Sequence, residues 1–144
     1  MGNVKISDIL RHKGSAVTTI APGATVTDLL AALAEHGVGA LVVVDGPAVV
    51  GIVSERDVVR QLHERGSALL AATVADLMSS PVLSCTTHDS VEDIAATMTG
   101  RRIRHLPVID DGELVGIVSI GDVVLSRIGQ LEQDRGQLEH YITG

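Results

Sequence analysis

The sequence predicts an α+β fold in which two β-α-β-β-α repeats pack face to face through their sheets as a pseudo-twofold pair, with a C-terminal helical extension. Three observations lead to this prediction: an internal repeat that covers most of the chain, the same order of strand-like and helix-like segments in both copies, and a helical spacing of apolar residues at the C-terminus. Because one copy of this size buries little surface by itself, the two copies are expected to pack together.

The repeat has a period of 65 residues. Residues 19–59 align with residues 84–124 without a gap, and 14 of these 41 positions are identical. The longest shared stretch is GIVSERDVV in the first copy and GIVSIGDVV in the second, and ISDIL at 6–10 matches VADLM at 74–78 with a slightly different offset. The predicted divisions are residues 1–66 for repeat 1 with the N-terminal segment, 67–73 for a linker, 74–128 for repeat 2 and 129–144 for a C-terminal helical tail.

Each copy starts with a short apolar segment, AVTTI or PVLSC, that is typical of a strand. A helix follows, in which a Thr or Ser N-cap precedes an Asp by three residues, as in a capping box. The two pairs are Thr25 with Asp28 and Ser90 with Asp93. Two β-branched runs separated by Asp, Gly or Pro then predict a hairpin, ALVVVD with AVVGIVS and HLPVID with ELVGIVS. A second helix is expected directly after each hairpin.

The C-terminal segment has apolar residues at helical spacing. Steps of 4, 3, 4, 3 and 4 residues, like an a/d seam, separate Val124, Ile128, Leu131, Arg135, Leu138 and Ile142. Arg135 and the glycines at 129 and 136 weaken this pattern. It predicts one long helix, or a helix with a break near Gly129, that packs on the pair or on a second subunit; a solvated tail is the alternative.

The composition argues against several classes of protein. The 144 residues are 45% hydrophobic, and Tyr141 is the only aromatic residue. The core must therefore be aliphatic, and the stacking platforms of single-strand nucleic-acid binders are missing. A net charge of −7 without a DNA-binding motif also argues against a nucleic-acid partner. No apolar run approaches the roughly 20 residues that span a bilayer, and MGNVKISDIL does not look like a signal peptide, so we expect a cytoplasmic protein without a membrane partner.

No catalytic or metal-binding pattern is found in the sequence. The single cysteine, Cys85, excludes an internal disulfide and a cysteine-based metal cluster. The six histidines form no metal-ligand spacing, and the chain has no nucleophile elbow, P-loop or Gly-x-Gly-x-x-Gly. We therefore predict neither an enzyme nor a metal site, and we interpret Cys85 as a buried structural thiol rather than a nucleophile.

The stretches GIVSERDVV, GIVSIGDVV and RIRHLPVIDDGELVGIVS resemble the cystathionine-β-synthase (CBS) domain, which occurs in tandem pairs called Bateman modules. The likeness covers nearly the whole chain and is similar to the stand-alone, single-pair proteins of bacteria and plant organelles. The resemblance implies a homodimer that binds an adenine nucleotide, with AMP as the first candidate and ATP, ADP or NAD as alternatives. It also implies a sensor of energy or redox state that regulates a protein partner not identified by the sequence.

The residues at the two shared motifs fit a ribose. A carboxylate on the first turn of a helix can accept hydrogen bonds from two neighbouring hydroxyls, and such charge-assisted bonds contribute about 1.5–3 kcal/mol each. Asp57 and Asp122 lie at this position, and Ser54 and Ser119 stand three residues earlier. Ser-x-x-Asp is also a capping pattern, so plain helix capping is the alternative interpretation. Gly51 and Gly116, in the strands before, are expected to let a base or another backbone approach.

Phosphate needs a positive charge or free N–H groups, and the chain has a basic cluster at Arg101, Arg102 and Arg104, beside His105. A solvated helix end is the alternative for Arg101. Repeat 1 has no arginine at the equivalent positions, so the two sites are expected to differ.

The resemblance implies that a ligand lies in the cleft between the repeats. One site would combine the Ser-x-x-Asp motif of repeat 1 with Arg104 and His105, and the other would use the motif of repeat 2 with the backbone near Gly39. Arg56 would suit a phosphate and Ile120 an adenine face. The complete predicted set is Ser54, Arg56, Asp57, Arg104, His105, Ser119, Ile120, Asp122, Gly39 and Ala40. The alternative function is a ligand-free structural module that assembles with a partner protein.

Overall fold

The computed structural model describes residues 4–80 and 82–143, with side chains up to residue 136. Its elements are, in chain order, α1 (Ile6–Lys13), β1 (Thr19–Ile20), α2 (Val26–His36), β2 (Ala40–Asp45), β3 (Ala48–Ser54), α3 (Glu55–Arg65), a 3-10 helix (Gly66–Ala71), α4 (Val74–Leu77), α5 (Val91–Arg101), β4 (His105–Asp110), β5 (Glu113–Ser119) and α6 (Ile120–Thr143).

The strands form two small sheets. In the first, β1 is parallel to β2 and β2 is antiparallel to β3, with a bulge between Val43 and Val44. The second is the β4–β5 hairpin. The predicted α+β class, with its two small sheets and a C-terminal helix, is confirmed.

The predicted helix starts are found, with one difference between them. Thr25 caps α2 through a bond from the Asp28 N–H (3.1 Å), and Asp28 in turn accepts from the Thr25 N–H (3.4 Å), which completes a capping box. Ser90 accepts from the Asp93 N–H (3.1 Å), but α5 has no reciprocal bond from the Asp93 carboxylate. The Ser and Thr caps are therefore shared by the copies, whereas the full box belongs to the first.

The predicted first strand of repeat 2, PVLSC, is reduced to one parallel bridge between Cys85 and Val108 in the part that the structure describes. Cys85 donates to the Pro107 carbonyl (3.0 Å) and accepts from the Ile109 N–H (2.8 Å). Two residues later, the Thr87 N–H donates to the Asp110 carboxylate (3.0 Å) and not to a strand carbonyl. Beyond Cys85, a side chain therefore takes the donor that a longer strand would use.

The chain divides into two compact units that are not continuous in sequence. The repeat-1 unit contains Ala16–Leu83 and Asp111–Leu114, and the repeat-2 unit contains Met1–Ser15, Ser84–Asp110 and Val115–Gly144. Helix α1 thus belongs with repeat 2, and α4 belongs with repeat 1. The boundaries predicted above concern the copies along the sequence and stay a prediction.

Each unit has its own aliphatic core. The repeat-1 core contains Val26, Leu29, Leu33, Leu41, Val43, Val53, Val58, Leu69, Val74 and Leu77. The repeat-2 core contains Ile6, Ile9, Leu10, Cys85, Val91, Ile94, Met98, Leu106, Val108, Val118 and Val123. Every residue in both lists is apolar, as the composition requires.

Gly51 and Gly116, which are equivalent in the repeat, serve packing inside each unit. A Cβ on Gly51 would lie 2.5 Å from Met78 Sδ, and a Cβ on Gly116 would lie 2.8 Å from Leu10 Cδ2. Leu10 and Met78 are equivalent in the ISDIL–VADLM match. On the Cβ side of each glycine, the close neighbour is therefore an apolar side chain of the same unit and not a base or another backbone.

Helix α6 runs through Gly129 without a break, which confirms the long-helix prediction. Its exposed apolar residues include Leu125 (71% exposed) and Leu131 (60%). The side chains of Leu138 and Ile142, also part of the predicted seam, lie outside the described residues. Among the residues described, no helix combines the length and the apolar character needed to cross a membrane.

Candidate functional site

The first candidate half-site lies where β3 ends and α3 begins. The carboxylate of Asp57 accepts two hydrogen bonds at Oδ2, from the Ser54 N–H (2.8 Å) and from the Ser54 hydroxyl (3.0 Å). The first of these bonds, together with the bond that the Asp57 N–H donates to Ser54 Oγ (3.4 Å), forms a capping box, so the helix-capping alternative is seen directly. Among the described residues, no donor is bonded to Asp57 Oδ1, so this oxygen retains its capacity to accept a hydrogen bond.

The second candidate half-site lies at the equivalent junction of β5 and α6, and it contains an additional cation. Asp122 Oδ2 accepts from the Ser119 N–H (2.8 Å) and from Lys13 Nζ (2.7 Å), and the Asp122 N–H donates to Ser119 Oγ (3.1 Å). Lys13 Nζ also donates to the Ile117 carbonyl (3.0 Å). The two Ser-x-x-Asp motifs therefore share a backbone geometry but differ in charge.

The protonation of Asp122 follows from these contacts. Its partial burial favours the neutral acid and raises its pKa, but the hydrogen bonds from Lys13 and Ser119, together with the Lys13 charge, favour the carboxylate more strongly. The net result is a pKa of Asp122 below its ordinary value. Asp122 is therefore an ionised hydrogen-bond acceptor at neutral pH.

In both units, the residue before the hairpin is hydrogen-bonded to the first residue of the helix that follows the hairpin. The Glu55 N–H donates to the Gly39 carbonyl (3.0 Å), and the Ile120 N–H donates to the Arg104 carbonyl (2.8 Å). These equivalent bonds place the beginning of β2 beside α3 and the beginning of β4 beside α6.

The ten predicted site residues consequently fall into two groups of five, one in each unit. The repeat-1 group is Gly39, Ala40, Ser54, Arg56 and Asp57, and the repeat-2 group is Arg104, His105, Ser119, Ile120 and Asp122. The predicted sharing of one ligand by the repeat-1 motif with Arg104 and His105 concerns residues of different units and stays a prediction.

The residues predicted to meet phosphate and adenine differ in exposure. Arg56 and Arg104 are exposed, and neither forms a salt bridge with a carboxylate of the described residues. Ile120 is half-buried against the repeat-2 core, and Ala40 is only 6% exposed. A ligand could thus reach both guanidinium groups, whereas Ala40 offers little accessible surface.

The basic cluster begins at the C-terminal end of α5, where Arg101 is the last helical residue. Arg102 follows it with a φ of +56°, in the left-handed region, and Gly37 takes the equivalent position after α2 with a φ of +62°. All three arginines of the cluster are exposed. This placement agrees with the solvated-helix-end alternative for Arg101 and leaves Arg104 at the start of the hairpin.

Lys13 is the residue near the candidate site that sequence reasoning missed. No local spacing links it to Asp122, because 109 positions separate the two residues. The only available signal was the match of residues 6–10 with residues 74–78, which shows that the segment recurs but not which copy it packs against.

Among the residues that the structure describes, no cluster of three or more His, Cys, Asp or Glu side chains could hold a metal ion. Burial raises the pKa of the Cys85 thiol to about 12, with Asp89 and Asp110 adding to the shift. The thiol is therefore protonated at neutral pH, which favours the structural interpretation of Cys85.

Comparison with known proteins identifies a family whose sequence model matches this chain. The sequence model of the family described as CBS domain matches residues 6–64 and 74–128. The CBS domain-containing protein CBSX3, mitochondrial, of Arabidopsis thaliana is 34% identical over 148 residues, which cover 96% of this chain and 72% of that protein.

Solved structures show the same fold. The CBS-domain containing protein ATU1752 from Agrobacterium tumefaciens has a TM-score of 0.83 and 38% identity, and the match covers 86% of this chain and 99% of that one. The CBS domain pair of MJ0100, solved in complex with 5'-methylthioadenosine and S-adenosyl-L-methionine, has a TM-score of 0.79 over 90% of this chain and 99% of that one. At 24% identity, the second likeness is one of fold.

Proposed function

This chain belongs to the CBS-domain family and carries one pair of repeats, and from that premise we propose that it is a regulatory module that binds an adenine nucleotide and catalyses no reaction. The observation that carries the proposal is the carboxylate at the start of both α3 and α6. In each, the capping bonds engage Oδ2 only, and Oδ1 accepts no hydrogen bond from the described residues.

The chemistry of these carboxylates suits a ribose. Two vicinal hydroxyls can both donate to one carboxylate, and the capping bonds already fix its orientation, so little side-chain freedom is lost on binding. We propose that Asp57 and Asp122 each bind a ribose diol, with Ser54 and Ser119 orienting them. AMP is the first candidate ligand, and ATP, ADP and NAD are alternatives with the same sugar.

The phosphate is proposed to meet basic side chains. Arg104 and His105 would share one ligand with the Ser54–Asp57 motif, and Arg56 would supply a further charge. Exposed guanidinium groups without a carboxylate partner among the described residues are suited to this role. At the other site, Ile120 would lie against the adenine, and the backbone of Gly39 and Ala40 would border the ligand.

We further propose that the protein is a homodimer that senses energy or redox state in the cytoplasm and signals to a regulated protein. The exposed apolar residues of α6 support a second copy as the first partner, because burying them would remove apolar area from water. A ligand must favour one conformation over another before its binding can regulate anything.

Thermal unfolding with added nucleotide tests the binding proposal. A ligand present at about 100 times its dissociation constant stabilises the folded state by roughly 2.7 kcal/mol, which raises Tm by roughly 5 to 10 °C for a chain of this size. AMP, ADP, ATP, NAD and S-adenosylmethionine are the ligands to compare. If none of them changes Tm, the alternative of a ligand-free structural module, which the exposed face of α6 also supports, is favoured.

Asparagine variants test the two carboxylates. Asp57→Asn and Asp122→Asn remove the charge but keep an oxygen that can accept the Ser54 or Ser119 N–H, so α3 and α6 keep much of their caps. We expect each variant to weaken nucleotide binding at one site by about ten- to a hundredfold, as measured by isothermal titration calorimetry. Unchanged affinity in both variants would contradict the assignment of these residues.

The matched control is Asp28→Asn. Asp28 has the same capping role at the start of α2, where it bonds with Thr25, but it lies outside the candidate site. This variant should lose a similar amount of capping stability and keep the affinity of the unaltered protein. An equal loss of binding in all three variants would point to unfolding and not to lost ligand contacts.

A further inference from the structure

The two half-sites differ in the group that holds the second hydrogen bond to Oδ2. In the repeat-1 unit that group is the neutral Ser54 hydroxyl (3.0 Å), and in the repeat-2 unit it is the Lys13 ammonium (2.7 Å). Lys13 therefore balances the charge of Asp122, whereas in the described residues no ion pair balances Asp57. The side chains of this pair remain partly open to solvent, with 33% of Lys13 and 21% of Asp122 exposed.

The difference has a structural origin in the segment before each repeat. In the repeat-1 unit, α4 ends at Leu77 and the Ser79 N–H then donates to the Ile52 carbonyl (2.9 Å). In the repeat-2 unit, α1 continues to Lys13, and the Lys13 ammonium donates to the carbonyl of Ile117, the residue equivalent to Ile52 (3.0 Å). A lysine thus takes the place of a backbone N–H, and from there it reaches Asp122.

On the basis of the function proposed above, we propose that Lys13 determines the ligand specificity of the Asp122 half-site, which selects a phosphorylated nucleoside over the unphosphorylated one.

An unphosphorylated nucleoside gains less binding free energy from Asp122 than from Asp57. Each aspartate has two donors on Oδ2, but a carboxylate that is already paired with an ammonium is a weaker acceptor for a neutral hydroxyl. The diol must therefore compete with Lys13 for the charge of Asp122.

A phosphorylated nucleoside gains more binding free energy at the Asp122 half-site than an unphosphorylated one. The ammonium has three N–H donors, and its contacts with Asp122 and Ile117 use two of them. The third N–H can meet a phosphate oxygen, and the charge of Lys13 offsets the repulsion between that phosphate and Asp122. Since the pair is partly exposed, solvent screening limits the effect to about tenfold in affinity.

Calorimetry with AMP and adenosine tests this inference. The protein contains only two lysines, Lys5 and Lys13, so Lys5→Met is a control with the same change of charge and side chain. All titrations use the Asp57→Asn background, so that binding reports on the Asp122 half-site. We expect Lys13→Met to weaken AMP binding by about tenfold and to leave adenosine binding unchanged or a few-fold tighter, and we expect Lys5→Met to change neither.

The outcomes separate this inference from the proposed function. If Lys13→Met weakens AMP and adenosine binding equally, or changes neither, the specificity role of Lys13 is wrong although nucleotide binding stands. If the unaltered protein binds neither AMP nor adenosine, nor any of the other nucleotides above, the proposed function fails and this inference fails with it.

A second measurement uses the unaltered protein and does not depend on how Lys13→Met folds. Acetylation by a lysine-specific reagent, read by mass spectrometry, gives the relative reactivity of the two lysines. Saturating AMP should protect Lys13 by severalfold relative to Lys5, and saturating adenosine should protect it less. Equal acetylation of Lys13 with and without bound AMP would overturn the inference.

Discussion

At the scale of single residues, the two copies use the same aspartate differently. The carboxylate of Asp110 accepts from the Thr87 hydroxyl (2.6 Å) and the Thr87 N–H (3.0 Å), and these bonds lower the pKa of Asp110. In repeat 1, the equivalent residues are Asp45 and Pro22. Proline has no N–H to donate, so this arrangement cannot form there and the difference follows directly from the sequence.

The Asp110 bonds predict a pH-dependent stability. Because the pKa of Asp110 is lower in the folded state than its unfolded value of about 3.9, its carboxylate stabilises the fold above about pH 4, and this contribution is lost as the pH falls through the folded pKa. Asp110→Asn should therefore lower the free energy of unfolding at pH 7 and have a smaller effect near pH 3, as measured by denaturant titration. Asp45→Asn is the control and should have little effect at either pH; equal effects of Asp110→Asn at both would contradict the argument.

Arg102 predicts a stabilising substitution. Its φ of +56° is a conformation that costs a residue with a side chain about 1 kcal/mol or more relative to glycine. We expect Arg102→Gly to raise the free energy of unfolding by about 1 kcal/mol, measured by urea denaturation at pH 7. The reciprocal control is Gly37→Ala at the equivalent position, which should lower stability by a similar amount; a loss of stability in Arg102→Gly would show that its side chain contributes more than the strain.

At the scale of elements, Gly116 in a strand and Gly100 in a helix have different surroundings. A Cβ on Gly116 in β5 would meet both methyl carbons of Leu10, at 2.8 and 2.9 Å, whereas a Cβ on Gly100 in α5 would meet no atom within 4 Å. Leu10 is buried in the repeat-2 core and has little room to move.

These two environments predict opposite signs for the same substitution. Gly116→Ala should lower the free energy of unfolding by about 1–3 kcal/mol through overpacking, and Gly100→Ala should raise it by about 0.5–1 kcal/mol because alanine favours a helix. Denaturant titration of both variants measures the difference. If Gly116→Ala were as stable as the parent protein, the close packing of α1 on β5 would be wrong.

Sequence patterns predicted most elements because their causes are local. The N-caps Thr25 and Ser90 predict the starts of α2 and α5. Runs of β-branched residues separated by turn residues predict both hairpins. The strand predicted at PVLSC is reduced to the bridge at Cys85, and the chain beyond it is held by the bond between Thr87 and Asp110, 23 positions apart. A long-range bond of that kind has no periodicity that a sequence pattern could reveal.

At the scale of the whole molecule, the repeat predicts two chemically different half-sites, and the structure shows that Asp57 and Asp122 differ in their hydrogen-bond partners. The sequence located the difference at Arg104 and its equivalent, Gly39. It could not include Lys13, because the exchange of α1 and α4 between the units depends on contacts across more than a hundred positions. The binding of one ligand by residues of both units stays a proposal, because it too depends on residues that are far apart in the sequence.

The exposed apolar face of α6 predicts an effect on assembly. If two copies pair through this helix, Leu125→Glu should dissociate the homodimer by placing a charge among residues such as Ile128 and Leu131. Size-exclusion chromatography with light scattering at a fixed concentration measures the mass of the particle. Leu30→Glu, on the partly exposed surface of α2, is the matched control and should leave the dimer intact; a parent protein that is monomeric throughout would contradict the proposed dimer.

The exchange of segments between the units also constrains how the protein is made. Leu10 is synthesised 106 residues before Gly116, the glycine that it covers (116 − 10 = 106). At a ribosomal rate of about 5–20 residues per second, that interval lasts roughly 5 to 20 seconds. During this time α1 lacks the strand on which it packs, so the repeat-2 unit can close only after Gly116 has been synthesised.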